Sequence, residues 1–576
     1  MKKETFYITT PIYYGNGVPH IGHTYTSLIT NVIFNYQKIS GKNARFTTGI
    51  DENSQKAVLK AKEAGMEIMD YLDEMTKKHK AVWDFFNINY TDFIRTTELR
   101  HHKLVQEVLQ ICFDRGDIYE GVYEGMYCVG CEAFKKDDDL VYMNKTTNKT
   151  FPITKDIELS DNIVKVCGDH LKEPDKIKEK NYFFKLSKYQ TWIEEFYLAN
   201  PDFVKPDFRY NEVKAFVSRG LEDFSISRET NTFGIPLPFD KTQVTYVWFD
   251  ALFNYYTSCK YSRGGNKNNE DFINESNEFW IENPNKVHVV GKDIIRFHAI
   301  FWPCMLASYF GLGEKDNSGV IHYKDSDKKY LPTTILTGGY FTVDGQKMSK
   351  TIGNVIEPIE YATKYSRELL TLYMLGAFPI GLDGDYDRQQ AILTYNSKLA
   401  NNLGNLVNRV VVLSLKIGGI LERSVHSGKI NSSGTLFKLE DLPIDKRIPL
   451  KNSMFFDEII LRMETYNLKG VLDYSFMFLD ELNDFTTQKE PWQTIKDETK
   501  LENTKEVLYT IAEGLRQVGL ALYSFFPEKM GEMFAKLGLK GYVERLENGE
   551  LEKLIGEILI FEITEKGENL FNRFDV

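Results

Sequence analysis

The chain opens on a run of β-branched and aromatic positions, TFYITTPIYY, that ends in a loop carrying proline and glycine. Apolar residues then recur at Ile21, Tyr25, Leu28, Ile29, Val32, Ile33 and Tyr36, the spacing of one helical face. Gly41 is a stop signal for that helix, and ARFTTGID reads as a second strand with Asp51 at its C-terminal end. A strand, helix, strand opening predicts a parallel α/β sheet of Rossmann type. Ligands of such sheets collect beyond the carboxyl ends of the strands, where Asp51 and the loop before Ile21 both fall.

The periodicity breaks between about residues 116 and 225, where a cysteine pair, the charge run KKDDDL and a Lys/Thr/Asn-rich tract interrupt it. This segment is read as a domain inserted into the sheet domain, splitting it into halves at 1–115 and 226–330. The second half resumes with VTYVWFDALFNYY and VHVVGKDIIRFHAIFW. A shorter region, 331–387, contains ILTGGYFTVDGQKMSK, in which Asp344-Gly345 is a tight-turn signal. Long amphipathic patterns dominate from Arg388 to the end and predict an all-α bundle over 388–576.

At 576 residues the chain is roughly four times a typical ~150-residue domain, which agrees with this multi-domain division. Its 42% hydrophobic and 14% aromatic content belongs to a folding chain and excludes a disordered one. With 71 basic against 82 acidic residues the net charge is −11, so any nucleic acid must be met by local basic patches. Six cysteines are too few for a disulfide scaffold and suit a reducing compartment. The N-terminus lacks the apolar core of a signal peptide and the arginine-rich bias of a transit peptide. The longest uncharged apolar stretch, 297–313, contains His298 and Pro303 and reads as a buried helix near a site, not a membrane span. A cytoplasmic protein with no membrane partner is expected.

Three patterns carry chemistry. His20-Ile21-Gly22-His23 falls between the first strand and its helix. There, unpaired backbone amides and the positive dipole end favour phosphate, the two imidazoles add N–H donors, and Gly22 lets a flat base approach. Lys347-Met348-Ser349-Lys350-Thr351 follows glycines and a turn, and its two closely spaced ammonium groups could neutralise a triphosphate and departing pyrophosphate. Either string alone could be ordinary core or surface sequence; together they argue for a nucleotide site. In the inserted segment Cys128 and Cys131, then Cys167 and His170, make two pairs with metal-ligand spacing, for which one structural zinc is the default ion.

The strings PIYYGNGVPHIGH, FTTGIDENSQK, YCVGCE, YVWFDALFNYY, VVGKDIIRFHAIFWP, GGYFTVDGQKMSKTIGN and NNLGNLVNR resemble the methionyl-tRNA synthetase family of class I aminoacyl-tRNA synthetases, over nearly the whole chain. The resemblance implies activation of methionine with magnesium-bound ATP, followed by transfer to the terminal ribose of tRNA(Met). It implies that His20, Gly22 and His23, with Lys347, Met348, Ser349 and Lys350, contact ATP, the histidines and lysines being the catalytic groups. Asp51 would hold the substrate ammonium, and Ile12, Tyr14, Trp248, Ala251, Leu252, Tyr255, Ile294 and His298 would surround the thioether, with a weak donor to sulfur from Tyr14 or His298. Polarisable sulfur packs well against aromatic edges. Asn405, Arg409 and Trp492 match the family's anticodon-reading positions, by stacking and edge contacts suited to unpaired bases. The long tract between the two metal-ligand pairs, and Asn53 where many members carry histidine, depart from the family pattern; Asn53 is given no catalytic role. Because the chain ends soon after the bundle, a monomer is expected. A class I synthetase for cysteine or an aliphatic amino acid, and a catalytically silent RNA-binding paralogue, stand as alternatives. The inserted segment is small for an editing domain, and both signature strings are intact.

Overall fold

The computed structural model describes residues 3–128, 133–135, 139–153, 162–168, 171–229, 233–263, 272–274, 277–343, 346–347, 355–423 and 444–575. Its centre is a six-stranded sheet built from β1 (Thr5–Tyr14), β2 (Asn43–Asp51), β3 (Asp92–Arg95), β4 (Val204–Lys205), β5 (Lys286–Gly291) and β6 (Thr334–Gly338). The spatial order is β4-β6-β5-β1-β2-β3, and every pairing is parallel. Chain order turns back between β1 and β5, so the switch point of the sheet, where a crevice opens, lies at their carboxyl ends. The helix α1 (Ile21–Ile39) joins β1 to β2, with Gly41 just beyond it at φ +89°.

Alternation along the strands divides the core between two faces. Phe6, Ile8, Val287, Val289 and Leu336 point into a core that continues through α1 into the C-terminal helices. Tyr7, Val290 and Ile335 point into the other, shared with the helices Leu99–Asp114, Asn254–Lys260 and Trp302–Phe310. A strand buried on both faces reads as a continuous apolar run, which is why β1 and β5 carry little polar alternation. The 297–313 stretch is helical and buried as expected: Phe297–Phe301 in π form, then Trp302–Phe310, capped by Gly311 in the left-handed region. Among the described residues no helix is long and apolar enough to cross a membrane.

The segment following β3 contains a long antiparallel pair, Ile118–Cys128 with Asp175–Phe184, and a small sheet of Leu140–Asn144, Thr150–Phe151 and Ile163–Cys167. Phe341–Val343 pairs antiparallel with Gln346–Lys347 and parallel with Gly384–Tyr386; the Asp344-Gly345 turn lies outside the described residues. From Arg388 onward long helices prevail, among them Asn405–Leu415, Ile444–Glu464, Leu468–Lys489 and Leu501–Leu522. Ile444–Glu464 and Leu468–Lys489 are separate helices, parted at Tyr466, which takes φ +57°.

Candidate active site

A cavity of about 270 Å³ opens at the carboxyl ends of β1 and β5. Its first wall comes from β1. The pairing of β1 with β2 shifts register between Thr9 and Ile12, a bulge around Pro11, whose ring nitrogen has no hydrogen to give a ladder. The Thr10 hydroxyl, 2.7 Å from Thr48 Oγ1, fastens the bulge to β2. Beyond it Ile12 and Tyr14 line the cavity, and Asp51, the register partner of Tyr14 at the end of β2, lines it beside them. Asp51 is 4% exposed, and its backbone carbonyl accepts from Gly15 N–H at 2.8 Å.

The HIGH string caps α1 in an unusual way. His20, in extended backbone conformation, accepts at Nδ1 from Gly22 N–H at 3.1 Å, and His23 Nδ1 accepts from His20 N–H at 3.4 Å. Ring nitrogens that accept at Nδ1 must carry their hydrogen at Nε2 in the neutral form, so both imidazoles keep an outward N–H. The rings stack at 3.8 Å between centroids and 22° between planes. His20, Gly22 and His23 all line the cavity, and the first turn of α1 has no acidic residue to oppose an anion. Behind His23, the Tyr13 ring packs at 4.8 Å, with its hydroxyl 3.0 Å from Ser27 Oγ.

The opposite wall is aromatic. Trp248, Ala251 and Leu252 come from the helix Val247–Leu252, Tyr255 from Asn254–Lys260, Ile294 and His298 from the segment after β5, and all six line the cavity. Trp248 stacks flat on Phe297, 3.8 Å between centroids and 3° between planes. His298 Nδ1 lies 2.9 Å from the carbonyl of Ile294, which can only accept, so Nδ1 holds the hydrogen. Nε2 must then accept, and it does so from the Tyr255 hydroxyl at 2.7 Å. Burial pushes the imidazole down to about 4, against the raising effect of the Ile294 carbonyl, and keeps it neutral. His298 therefore spends its only N–H on the Ile294 carbonyl and has none for a further acceptor, whereas a donor from Tyr14 or His298 was expected near a sulfur atom. Behind Tyr255 the His288 ring stacks at 4.2 Å, accepting from Trp302 Nε1 at 3.2 Å and lying 2.9 Å from the Thr9 hydroxyl. A second buried, neutral imidazole thus ties β5 to the start of the bulge.

The third side is the approach to the lysine string. Gly339, Tyr340 and Phe341 line the cavity, and Lys347 is the strand partner of Thr342, one residue beyond Phe341. Tyr25 of α1 meets Phe341 at 4.7 Å between ring centroids, and Ile21 N–H donates to the Ile356 carbonyl at 3.4 Å. The chain before and after the lysine string is therefore fastened to the first turns of the helix that carries the histidines. Met348, Ser349 and Lys350 lie outside the described residues.

All twelve residues expected around ATP and methionine from β1, α1, β2 and the aromatic segments meet in this one cavity. Sequence reasoning missed Pro11, Tyr13, Thr26, Gly291, Asp293, Gly339, Tyr340 and Phe341 in its lining. The Gly338-Gly339 pair was the available signal: a Cβ on Gly339 would sit 1.9 Å from the Leu382 carbonyl oxygen, so only glycine permits that approach. Elsewhere, Arg409 and Trp492 line a second cavity of about 500 Å³ with Asn408 and Lys566, the guanidinium 5.9 Å from the indole centroid. Asn405 lies exposed one turn before Arg409 on the same helix. Cys128 and Cys167 are both buried at strand ends. Cys128 pairs with Ala133, and Cys167 N–H donates to the Lys172 carbonyl at 2.9 Å. Cys131 and His170 lie outside the described residues, and among the described residues no group of three or more His, Cys, Asp or Glu could hold a metal.

A parallel sheet whose first strand feeds a histidine-capped helix at the switch point, with a lysine-bearing hairpin fastened beside it, is the arrangement of a class I tRNA synthetase. The family model described as tRNA synthetases class I (M) matches residues 6–411. A methionine–tRNA ligase of Fusobacterium nucleatum is 37% identical over 554 residues, 96% of this chain and 77% of that protein. One from Rickettsia felis is 35% identical over 539 residues, 93% of each. The structure of Mycobacterium tuberculosis methionyl-tRNA synthetase in complex with methionyl-adenylate superposes with a TM-score of 0.82 at 27% identity, covering 99% of this chain and 100% of that one. The chain belongs to the class I tRNA synthetases, in the methionyl family.

Proposed function

We propose that the cavity binds methionine and ATP side by side and joins them. The methionine carboxylate attacks the α-phosphorus, the bond to pyrophosphate breaks, and methionyl-adenylate forms. The terminal ribose hydroxyl of tRNA(Met) then attacks the methionyl carbonyl and releases AMP. Neither step needs a protein nucleophile. What the chain supplies is alignment and charge stabilisation of a pentavalent phosphate. The outward Nε2 hydrogens of His20 and His23 and the amides of the α1 N-terminus face the phosphates, with Gly22 admitting the base. Lys347, on the strand Gln346–Lys347, and Lys350, three residues on in sequence, neutralise the phosphates as charge moves to pyrophosphate. Asp51 holds the ammonium at the end of β2, and the wall from Trp248 to His298 holds the side chain. Magnesium arrives with ATP and screens its phosphates; no residue is assigned to it.

The observation that carries this reading is the meeting of Asp51, the histidine cap and the neutral aromatic wall in one cavity at the switch point. A small, largely apolar slot with the buried Asp51 carboxylate at the end of β2 suits an unbranched neutral side chain attached to an α-amino group. Arg409, Asn405 and Trp492 present an aromatic face and polar edges for unpaired anticodon bases. Cys128, Cys131, Cys167 and His170 would hold one structural zinc: two buried thiols at strand ends, each with a second ligand-type residue three positions on in sequence, fit a knuckle, and sulfur with imidazole is the donor set zinc takes. Metal analysis of the purified protein is expected to give one zinc per chain. The chain works as a monomer in the cytoplasm under this reading.

Pyrophosphate exchange with each of the twenty amino acids tests the substrate. Exchange stimulated by methionine is expected; stimulation by valine or cysteine in its place would overturn the assignment. Absence of adenylate in an active-site titration with methionine and ATP would favour an RNA-binding scaffold instead.

A further inference from the structure

Asn53 lies two residues beyond Asp51 and is 3% exposed. Its side-chain nitrogen is 2.7 Å from Asp250 Oδ2 and 3.2 Å from the Thr96 carbonyl oxygen. A backbone carbonyl can only accept, and so can an ionised carboxylate, so the amide is fixed with its NH2 toward both. Asp250 is itself fully buried, within the helix Val247–Leu252. That helix supplies Trp248, Ala251 and Leu252 to the cavity. On the near side, Thr96 Oγ1 accepts from the backbone N–H of Glu52 at 2.9 Å and of Asn53 at 3.3 Å, which pins the turn following Asp51. Asn53 does not itself line the cavity.

We propose that Asn53 is a positioning residue for the amino-acid pocket. Its amide bridges the turn that carries the ammonium-binding carboxylate to the helix that carries the side-chain wall. The bridge fixes the span between the two ends of the bound amino acid, and a charge-assisted bond between buried partners is stiff enough to do so. This rests on the reading of the cavity as the amino-acid site. The nucleotide side depends on α1 and the strands around Lys347, and among the described residues the hydrogen bonds of Asn53 go to Thr96 and Asp250 and not to either, so the effect is confined to one substrate. Because the span matters equally before and during reaction, its loss weakens binding of ground state and transition state alike. Such a change raises KM and leaves kcat near its original value.

The test replaces Asn53 by leucine, of similar size and with no donor, in the full chain. Pyrophosphate exchange is then measured against methionine at saturating ATP, and against ATP at saturating methionine. The expected result is a methionine KM raised roughly ten-fold or more, the scale of losing a buried bond to a charged group. The ATP KM should stay within about two-fold and kcat within about three-fold. Asn53→His, whose ring N–H can reach the same carboxylate, should recover most of the methionine KM. An unchanged methionine KM, a parallel rise in both KM values, or failure of the histidine to rescue would overturn the proposal. Should the leucine variant not fold, Asn53→Ser serves in its place, with methionine affinity read from tryptophan fluorescence. If the unaltered protein exchanges with another amino acid and not methionine, the substrate reading fails; the bridge is then tested on the KM for that amino acid.

Discussion

Replacing Tyr255 by phenylalanine removes one hydrogen atom's partner, and its consequence for His298 can be worked out in sign and size. The unaltered imidazole is held at about 4, against 6.5 in water, because burial disfavours the cation. At ~1.36 kcal/mol per unit, that depression is a preference of about 3 kcal/mol for the neutral ring. Since the folded value lies below the unfolded one, the associated stability is fully present above about pH 6.5 and is lost as pH falls through about 4. Apart from burial, the Nε2 lone pair accepts the Tyr255 hydroxyl, a bond the imidazolium cannot accept, which also favours the neutral ring. A neutral hydrogen bond contributes about 0.5–1.5 kcal/mol net, so Tyr255→Phe should raise the His298 value by roughly 0.4–1.1 units. At pH 5 that turns a ring about one-tenth protonated into one between about one-fifth and about one-half protonated. The assay is a pH titration of 13Cε1-histidine resonances, with His298 assigned by its loss in His298→Gln. Exchange activity should be flat above pH 6.5 in both proteins and fall earlier on acidification in the variant. A downward or absent shift, or a His298 that titrates near 6.5 in the unaltered protein, would refute the tautomer and the pocket electrostatics together.

Other perturbations separate the parts of the enzyme. Lys350→Ala should lower the rate of adenylate formation by at least roughly a hundred-fold while methionine affinity stays within about two-fold, because the charge acts on a developing pyrophosphate; stopped-flow adenylation with a methionine titration reads both. Trp492→Ala should weaken tRNA charging about ten-fold or more and spare exchange without tRNA, the size of one lost base stack; equal losses in the two assays would make the residue structural only. Lys286, 1% exposed, donates to the carbonyls of Trp280, Asn283 and Lys329 at 3.0, 2.7 and 3.1 Å, and burial brings its ammonium down to about 7. Its folded value is below the unfolded one, so its contribution to stability should rise with pH between about 7 and about 10.5, by up to ~1.36 kcal/mol per unit. Denaturation at pH 7.5 and 9 should show that gain in the unaltered protein and its absence in Lys286→Met.

The order β1, α1, β2 was legible because amphipathic spacing and strand composition there agree with the burial the sheet imposes. Asp51 and the histidine string were legible for the same reason, being fixed at strand and helix ends that the pattern defines. The bulge at Pro11 was not read, since a register shift depends on the partner strand. Nor was the protonation of His298, which follows from where the π-helical segment puts the Ile294 carbonyl, one turn away in sequence but set by tertiary packing. The Gly339 approach to Leu382 and the placing of Lys566 beside Trp492 are contacts between distant segments, and no local pattern encodes them. Asn53 was noticed as a departure from a family pattern, yet its partner Asp250 is 197 positions away and came only with the fold.

The two kinds of wall around the cavity are built differently, and the difference suits a two-substrate reaction. The amino-acid wall is closed by bonds among buried polar groups: Tyr255 to His298, Trp302 to His288, and Asn53 to Asp250. These bonds cannot be traded for water without exposing apolar surface, so that wall is stiff in shape and selects by fit. The nucleotide wall is anchored instead by contacts at its two flanks, Phe341 on Tyr25 and the Ile356 carbonyl on Ile21 N–H, both within the first turns of α1. One helix thus carries the histidines and fastens the chain on both sides of the lysine string, while Lys292, two residues before Ile294, packs over Tyr340 at 4.3 Å and ties the same chain to the amino-acid wall more loosely, at the rim. A substitution that loosens Tyr25 against Phe341 should then impair the phosphate chemistry while leaving methionine selection intact, and one at Asn53 should do the reverse.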